Sequence, residues 1–180
     1  KDRARAAEWG LPLYATLTEL CASEQVELAD ICAPTYLHKA LALEAFGHGL
    51  HVITEKPAAL SLADAQEMYE AADRAEKQLY VAQVLQFTRE VETLHEVIGD
   101  ERYGKPLDAC FERLSARPGW VQGGWLFQKE KSGLLPFDLH IHDLDMMVSA
   151  FGEPQSMDYT SCGGPDAPCR EQYRFRYAFA

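Results

Sequence analysis

Apolar positions in the first half of the chain alternate between strand-like and helix-like spacing. Val26-Glu27-Leu28-Ala29-Asp30-Ile31-Cys32-Ala33 reads as a short strand stopped by Pro34. Leu50 to Thr54 is a second, buried strand, and Leu79 to Leu85 a third. Helical stretches lie around and between them. Arg3 to Trp9 reads as the tail of a helix closed by Gly10, and Leu17 to Ser23 as a short second helix. Thr35 is placed to cap a helix from Tyr36 to about Phe46, which Gly47 and Gly49 end. Ser61 caps a longer helix to about Lys77, with Asp64 as its capping-box-like partner. Strands separated by helices of this length imply βαβ units and a mostly parallel sheet.

The second half has a different pattern. A helical stretch over about 90–98 leads to Gly104-Lys105-Pro106, a turn cluster and the best candidate domain junction. Leu107 to Leu114 alternates apolar and polar residues, which predicts a half-buried antiparallel strand. Residues 116–133 form a Gly/Trp-rich loop, too long for a simple connection. A helix is expected from about Phe137 to Ala150, ended by Gly152-Glu153-Pro154. Strands follow at 155–161 and 171–179, separated by a turn over Gly163–Pro168.

Composition narrows the classes. The chain has 17 basic and 28 acidic residues, a net charge of −11, shared between both halves. A nucleic-acid binder needs a positive footprint to displace counterions, so nucleic acid is not an expected partner. With 47% hydrophobic and 11% aromatic residues the chain can build a packed core. Its uncharged stretches fall well short of the ~20 residues of a membrane helix, so no membrane partner is expected. It opens on Lys1-Asp2-Arg3 without Met, and no apolar segment of a signal peptide follows, so it reads as part of a longer product. The five cysteines stand singly, which favours a reducing, cytoplasmic setting. Cys162 and Cys169 flank a Gly/Pro loop; two loop thiols is the reading the pattern favours over a disulfide or a metal site.

Two clusters can carry chemistry. Glu55-Lys56-Pro57 falls at the carboxyl end of a parallel strand, where open α/β sheets bind ligands. An ammonium there can hydrogen-bond a reacting hydroxyl and stabilise a developing alkoxide; a plain surface lysine also fits the position. The preceding strand end, Ala33 to His38, forms a matching opening, and His38 reads by spacing as a packing or capping group. The second cluster is Asp138-Leu-His140-Ile-His142-Asp143-Leu-Asp145. In a helix Asp138 and His142 share a face, suiting general acid–base work. In a strand His140 and His142 share one instead, making a metal-site candidate. The Met146 to Ala150 run and Gly152 favour the helix. The chain contains no Gly-rich phosphate cradle and no zinc-ligand spacing.

These motifs, in this order, resemble the glucose–fructose oxidoreductase/inositol dehydrogenase (Gfo/Idh/MocA) family of nicotinamide-dependent dehydrogenases. The resemblance rests on Asp30 to His38, Gly49 to Pro57, Val81 to Phe87, Tyr103 to Pro106 and Asp138 to Asp145, and covers most of residues 1–155. It implies an α/β chain truncated at both ends. Residues 1–100 would be the remainder of an NAD(P)-binding Rossmann domain without its first βαβ unit. Residues 101–180 would begin an α+β substrate and oligomerisation domain with a mostly antiparallel sheet. It further implies NAD or NADP as cofactor, a sugar or polyol substrate, and a homo-oligomer at full length. Lys56, Asp138 and His142 would be catalytic, with His142 accepting the proton and Asp138 positioning it or holding the substrate. Pro34, Thr35, His38, Glu55 and Lys56 would line the cofactor side, and no metal is expected. A non-catalytic nucleotide- or sugar-sensing protein on the same scaffold is the alternative, and a metal hydrolase built on His140 and His142 a third. Two positions depart from the family pattern. Gln86 stands where an Arg is usual, removing a positive charge near cofactor or substrate and pointing to a changed substrate preference. Gly133-Leu134 replaces a glycine pair.

Overall fold

The computed structural model describes residues 2–116, 118–163 and 172–179, which fall into two compact units. One comprises residues 1–33 and 37–81, the other residues 34–36 and 82–180.

The first unit runs α1 (Asp2–Glu8), α2 (Leu17–Ser23), β1 (Leu28–Ile31), α3 (His38–Gly47), β2 (His51–Glu55), α4 (Leu62–Arg74) and β3 (Leu79–Ala82). The three strands form a parallel sheet in the order β1-β2-β3. Leu28 stands opposite His51 and Ile31 opposite Thr54, and the Val52 amide reaches the Gln78 carbonyl at 2.9 Å. Sequential strands lying side by side are what successive βαβ crossovers produce.

Sequence accounts for the burial of α4 and α3. α4 is amphipathic: Met68, Ala71 and Ala72 are buried at i, i+3 and i+4. Ser61 caps it, its Oγ accepting from the Asp64 amide at 3.1 Å and donating to the Asp64 carboxylate at 2.7 Å. α3 is apolar on most sides and buries Ala42, Ala45 and Phe46. It ends where Gly49 takes φ 74° and the Leu50 amide turns back to the Ala45 carbonyl at 3.1 Å. The core joins these residues to Ile31, Leu50 and Val52. Met68 has no exposed surface, so Met68→Ala removes contacts worth about 2–5 kcal/mol.

Thr35 does not cap α3. Residues Thr35–Leu37 form a 3-10 turn in which Thr35 is buried, and α3 starts at His38 without a side-chain cap. The third strand stops at Ala82 and gives way to a 3-10 turn over Val84–Phe87.

The second unit contains α5 (Arg89–Ile98), α6 (Lys129–Ser132), α7 (Leu134–Asp138), α8 (His140–Phe151), β4 (Ser156–Cys162) and β5 (Gln172–Ala178). β4 and β5 pair antiparallel, with Ser156 opposite Ala178 and Tyr159 opposite Phe175. α5 is amphipathic and packs on α8, where Ser149 Oγ and His95 Nε2 lie 3.2 Å apart.

The strand expected over 107–114 is not formed. Residues 104–116 carry no regular structure, and Leu107 and Leu114 are exposed. An alternating pattern becomes a strand only when a neighbour takes its backbone hydrogen bonds, and among the described residues β4 and β5 pair only with each other. The 116–133 segment is more ordered than a loop, holding a 3-10 turn over Gln122–Phe127 and then α6. The helix expected from Phe137 to Ala150 is two helices, parted at Leu139. The turn expected over Gly163–Pro168, with Cys169, lies outside the described residues except for Gly163.

Candidate active site

Candidate residues end or follow β1 and β2 in the chain: His38, Glu55 and Lys56 belong to the first unit, Pro34 and Thr35 to the second. Lys56 directly follows β2, the middle strand. Its amide donates to Glu55 Oε2 at 3.2 Å, and the Lys56–Pro57 bond is cis. Glu55 and Lys56 are half-buried. At the β1 end, Pro34 is half-buried and Thr35 buried. His38, only 1% exposed, places Nδ1 2.8 Å from the Pro57 carbonyl oxygen and Nε2 2.9 Å from that of Ala33. Burial pushes the Cys32 thiol above its ordinary range, helped by Asp30, whose carboxylate accepts from it at 3.5 Å. Thr54, one residue before Glu55, is fully buried with no hydrogen-bond partner for its hydroxyl oxygen among the described residues.

In the second unit Asp138 is the last residue of α7 and His142 lies in the first turn of α8. The i, i+4 spacing is kept, but across the break at Leu139 rather than along one continuous helix. His140 and His142 stand two residues apart in a helix, about 200° round its axis. The strand reading that put both on one face is therefore not the observed one. Among the described residues no three His, Cys, Asp or Glu side chains gather as a metal site.

His140 is instead tied into a chain of polar contacts. Its Nε2 is 2.8 Å from the Tyr177 hydroxyl, and its ring stacks on Phe175 with centroids 3.9 Å apart. Its Nδ1 is 3.6 Å from Asp143, which also accepts from Arg113 Nε at 3.0 Å. Burial pushes the Asp143 carboxyl upward, but hydrogen bonds from His140 and Arg113 outweigh it and hold it below the ordinary carboxylate range. The same hydrogen bond raises Arg113, and burial raises the Tyr177 phenol. Arg113, His140, Tyr177 and Asp138 line one groove with Trp120 and Leu135. Sequence reading missed Arg113 and Tyr177, since no local pattern joins positions 30 or more residues apart.

Two further contacts shape this unit. The Lys131 ammonium lies 5.4 Å from the centre of the Tyr36 ring, so the Gly/Trp-rich segment reaches the turn that carries Pro34 and Thr35. Gln86 Nε2 donates to Asp145 Oδ2 at 2.6 Å. The side chain at the departed Arg position is therefore engaged by α8.

Residues 1–83 match the family model described as "Oxidoreductase family, NAD-binding Rossmann fold", and residues 91–164 match "GFO/IDH/MocA C-terminal domain". The chain belongs to the Gfo/Idh/MocA family. A 2,7-anhydro-N-acetylneuraminate hydratase from Mediterraneibacter gnavus is 33% identical over 151 residues, covering 82% of this chain and 39% of the relative. A 1,5-anhydro-D-fructose reductase from Ensifer adhaerens is 30% identical over 148 residues, covering 82% of this chain and 44% of the relative. Among solved structures, the WlbA dehydrogenase from Chromobactrium violaceum, in complex with NADH and UDP-GlcNAcA, superposes with a TM-score of 0.73. It is 25% identical, over 89% of this chain and 47% of that one. The chain thus spans less than half the length of these relatives. Its first unit is an NAD(P)-binding Rossmann fold, as the parallel sheet and the family match show. No helix among the described residues is long and apolar enough to cross a membrane.

Proposed function

We propose that the protein containing this chain is an NAD(P)-dependent oxidoreductase acting on a CH–OH or C=O group of a sugar, polyol or related small molecule. The observation that carries this reading is Lys56, a cation at the carboxyl end of the middle strand of a parallel Rossmann sheet. Pro34 and Thr35, which follow β1 in the chain, and Glu55, the last residue of β2, are assigned with Lys56 to the cofactor side. Bound nicotinamide supplies the hydride acceptor or donor. Lys56 donates a hydrogen bond to the substrate oxygen and stabilises alkoxide character as a hydroxyl is oxidised. His142 takes the hydroxyl proton, or returns it in the reverse direction, and Asp138 orients the imidazole or holds the substrate. The residues divide as in the family resemblance, residues 1–100 serving the cofactor and 101–180 opening the substrate and oligomerisation domain, in a cytoplasmic homo-oligomer.

In the full protein, Lys56→Ala and His142→Ala are each expected to lower turnover by about a hundred-fold or more while leaving the unfolding temperature within a few degrees. Undiminished turnover in both variants would exclude this catalytic reading and favour a sensing protein on the same scaffold. The 33% identity to a hydratase supports a second reading, addition of water to a sugar-derived substrate by the same acid–base residues. Stoichiometric change in nicotinamide absorbance during turnover selects the first reading; product formation without it selects the second.

A further inference from the structure

The catalytic reading gives His38 no part in the chemistry, yet it is among the largest side chains with essentially no exposed surface. It is the first residue of α3, and its ring bridges the ends of two strands. Nδ1 meets the carbonyl of Pro57, just beyond β2, and Nε2 meets the carbonyl of Ala33, just beyond β1. Backbone carbonyls where a strand ends have lost their ladder partners and must be met by something else when buried. A histidine can reach two such carbonyls from one ring, and both contacts are full hydrogen bonds when each nitrogen carries a hydrogen.

This bridge bears on Lys56. On one side the Lys56 amide donates to Glu55 at 3.2 Å; on the other, the next carbonyl along the chain, that of Pro57, is held by His38 at 2.8 Å. The backbone from which the ammonium extends is fixed before and after the residue. We propose that His38, expected from the family resemblance to line the cofactor side, is instead a positioning residue: with 1% of its surface exposed and both ring nitrogens facing carbonyls it touches neither cofactor nor substrate, but braces the Glu55–Pro57 turn against the end of β1 and so sets where the Lys56 side chain starts. The proposal rests on the role given to Lys56 above.

The two nitrogens can be tested separately in the full protein. An Asn amide sits close to the place of Nδ1 and can keep the Pro57 contact; a Gln amide reaches the place of Nε2 and can keep the Ala33 contact. His38→Ala is expected to lower turnover by about a hundred-fold, with little change in the KM for dinucleotide. His38→Asn is expected to recover at least about ten-fold more turnover than His38→Gln. A space-filling role predicts the reverse, since Gln is nearer to His in size, so equal or better activity for Gln overturns the proposal. Amide hydrogen exchange without ligand gives a second reading: exchange over residues 54–60 should quicken in His38→Ala and recover in His38→Asn, with residues 62–74 unchanged. Unaltered exchange at 54–60 in His38→Ala also overturns it; if that variant does not fold, the Asn and Gln pair decides. Full turnover in Lys56→Ala, alongside the expected exchange pattern, removes the catalytic reading and leaves the brace standing.

Discussion

Gln86 and Asp145, 59 residues apart in the chain, are joined by a 2.6 Å hydrogen bond that ties the 3-10 turn after β3 to α8. A second contact, from the same amide to the Asp145 carbonyl at 3.3 Å, keeps the side chain on the helix. Beside the expected effect on substrate preference, this position has a structural role that can be measured on its own. Gln86→Ala should cost about 1–3 kcal/mol by urea unfolding, because the bond is to a charged group. Gln86→Arg should match or exceed the parent, since a guanidinium at the same place makes a charge-assisted pair. An unchanged midpoint in Gln86→Ala would refute the assignment.

The neighbouring residues Gly133 and Leu134, at the start of α7, should respond with opposite sign. Gly133 takes φ 71° and Leu134 φ 60°, two successive left-handed residues where the family resemblance leads one to expect two glycines. Leu134 bears a left-handed cost of about 1–2 kcal/mol that Leu134→Gly relieves, partly offset by lost apolar contact. Gly133→Ala instead puts a Cβ 2.5 Å from the Phe137 ring and should destabilise by about 2 kcal/mol or more. Thermal unfolding of the two variants checks the contrast; a loss of stability in Leu134→Gly as large as that in Gly133→Ala contradicts it.

Ser132 holds the approach to this turn. Fully buried, it donates to the Leu126 carbonyl at 2.8 Å and accepts from the Leu134 amide at 2.9 Å. Ser132→Ala strands both backbone groups, at about 1–3 kcal/mol. Faster exchange of the Leu134 amide is the direct measurement, and parent-like exchange would show the hydroxyl to be dispensable.

The Asp143 carboxyl titrates below its unfolded value, so it contributes stability that is present above the ordinary carboxylate range, ~4, and is lost as pH falls through the folded value. Acid unfolding of the parent should steepen below ~pH 4. Asp143→Asn should be less stable than the parent at neutral pH, with the gap narrowing on acidification. A gap independent of pH would mean that the charge pairing with Arg113 contributes nothing.

What could be read from sequence divides by distance along the chain. The Ser61 cap of α4 rests on contacts within a few residues, and β1, β2 and β3, though they pair across more than twenty residues, carry short apolar runs that a local pattern records. The contacts of His140 with Tyr177, Asp143 with Arg113 and Gln86 with Asp145 cross 30 to 59 residues and leave no such record. The 107–114 pattern misled for a related reason: alternation states which face is apolar, not whether a partner strand is there to bond. The motifs around Lys56 and His142 were legible as candidates, and His38 as a packing or capping group, but the two partners of His38 were not, because they are carbonyls, which every residue has.

The break at Leu139 gives Asp138 and His142 independent registers. A residue inserted at this joint would turn everything in α8 about 100° relative to α7, moving His142 while Asp138 stays with its own helix. At the joint the Leu139 amide still donates to the Leu135 carbonyl at 2.9 Å, whereas the His142 amide turns to the Leu139 carbonyl at 3.2 Å, a tighter i→i+3 bond. The spacing of the pair is thus a coordinate that a one-residue insertion or deletion at Leu139 resets, re-aiming His142 against Asp138.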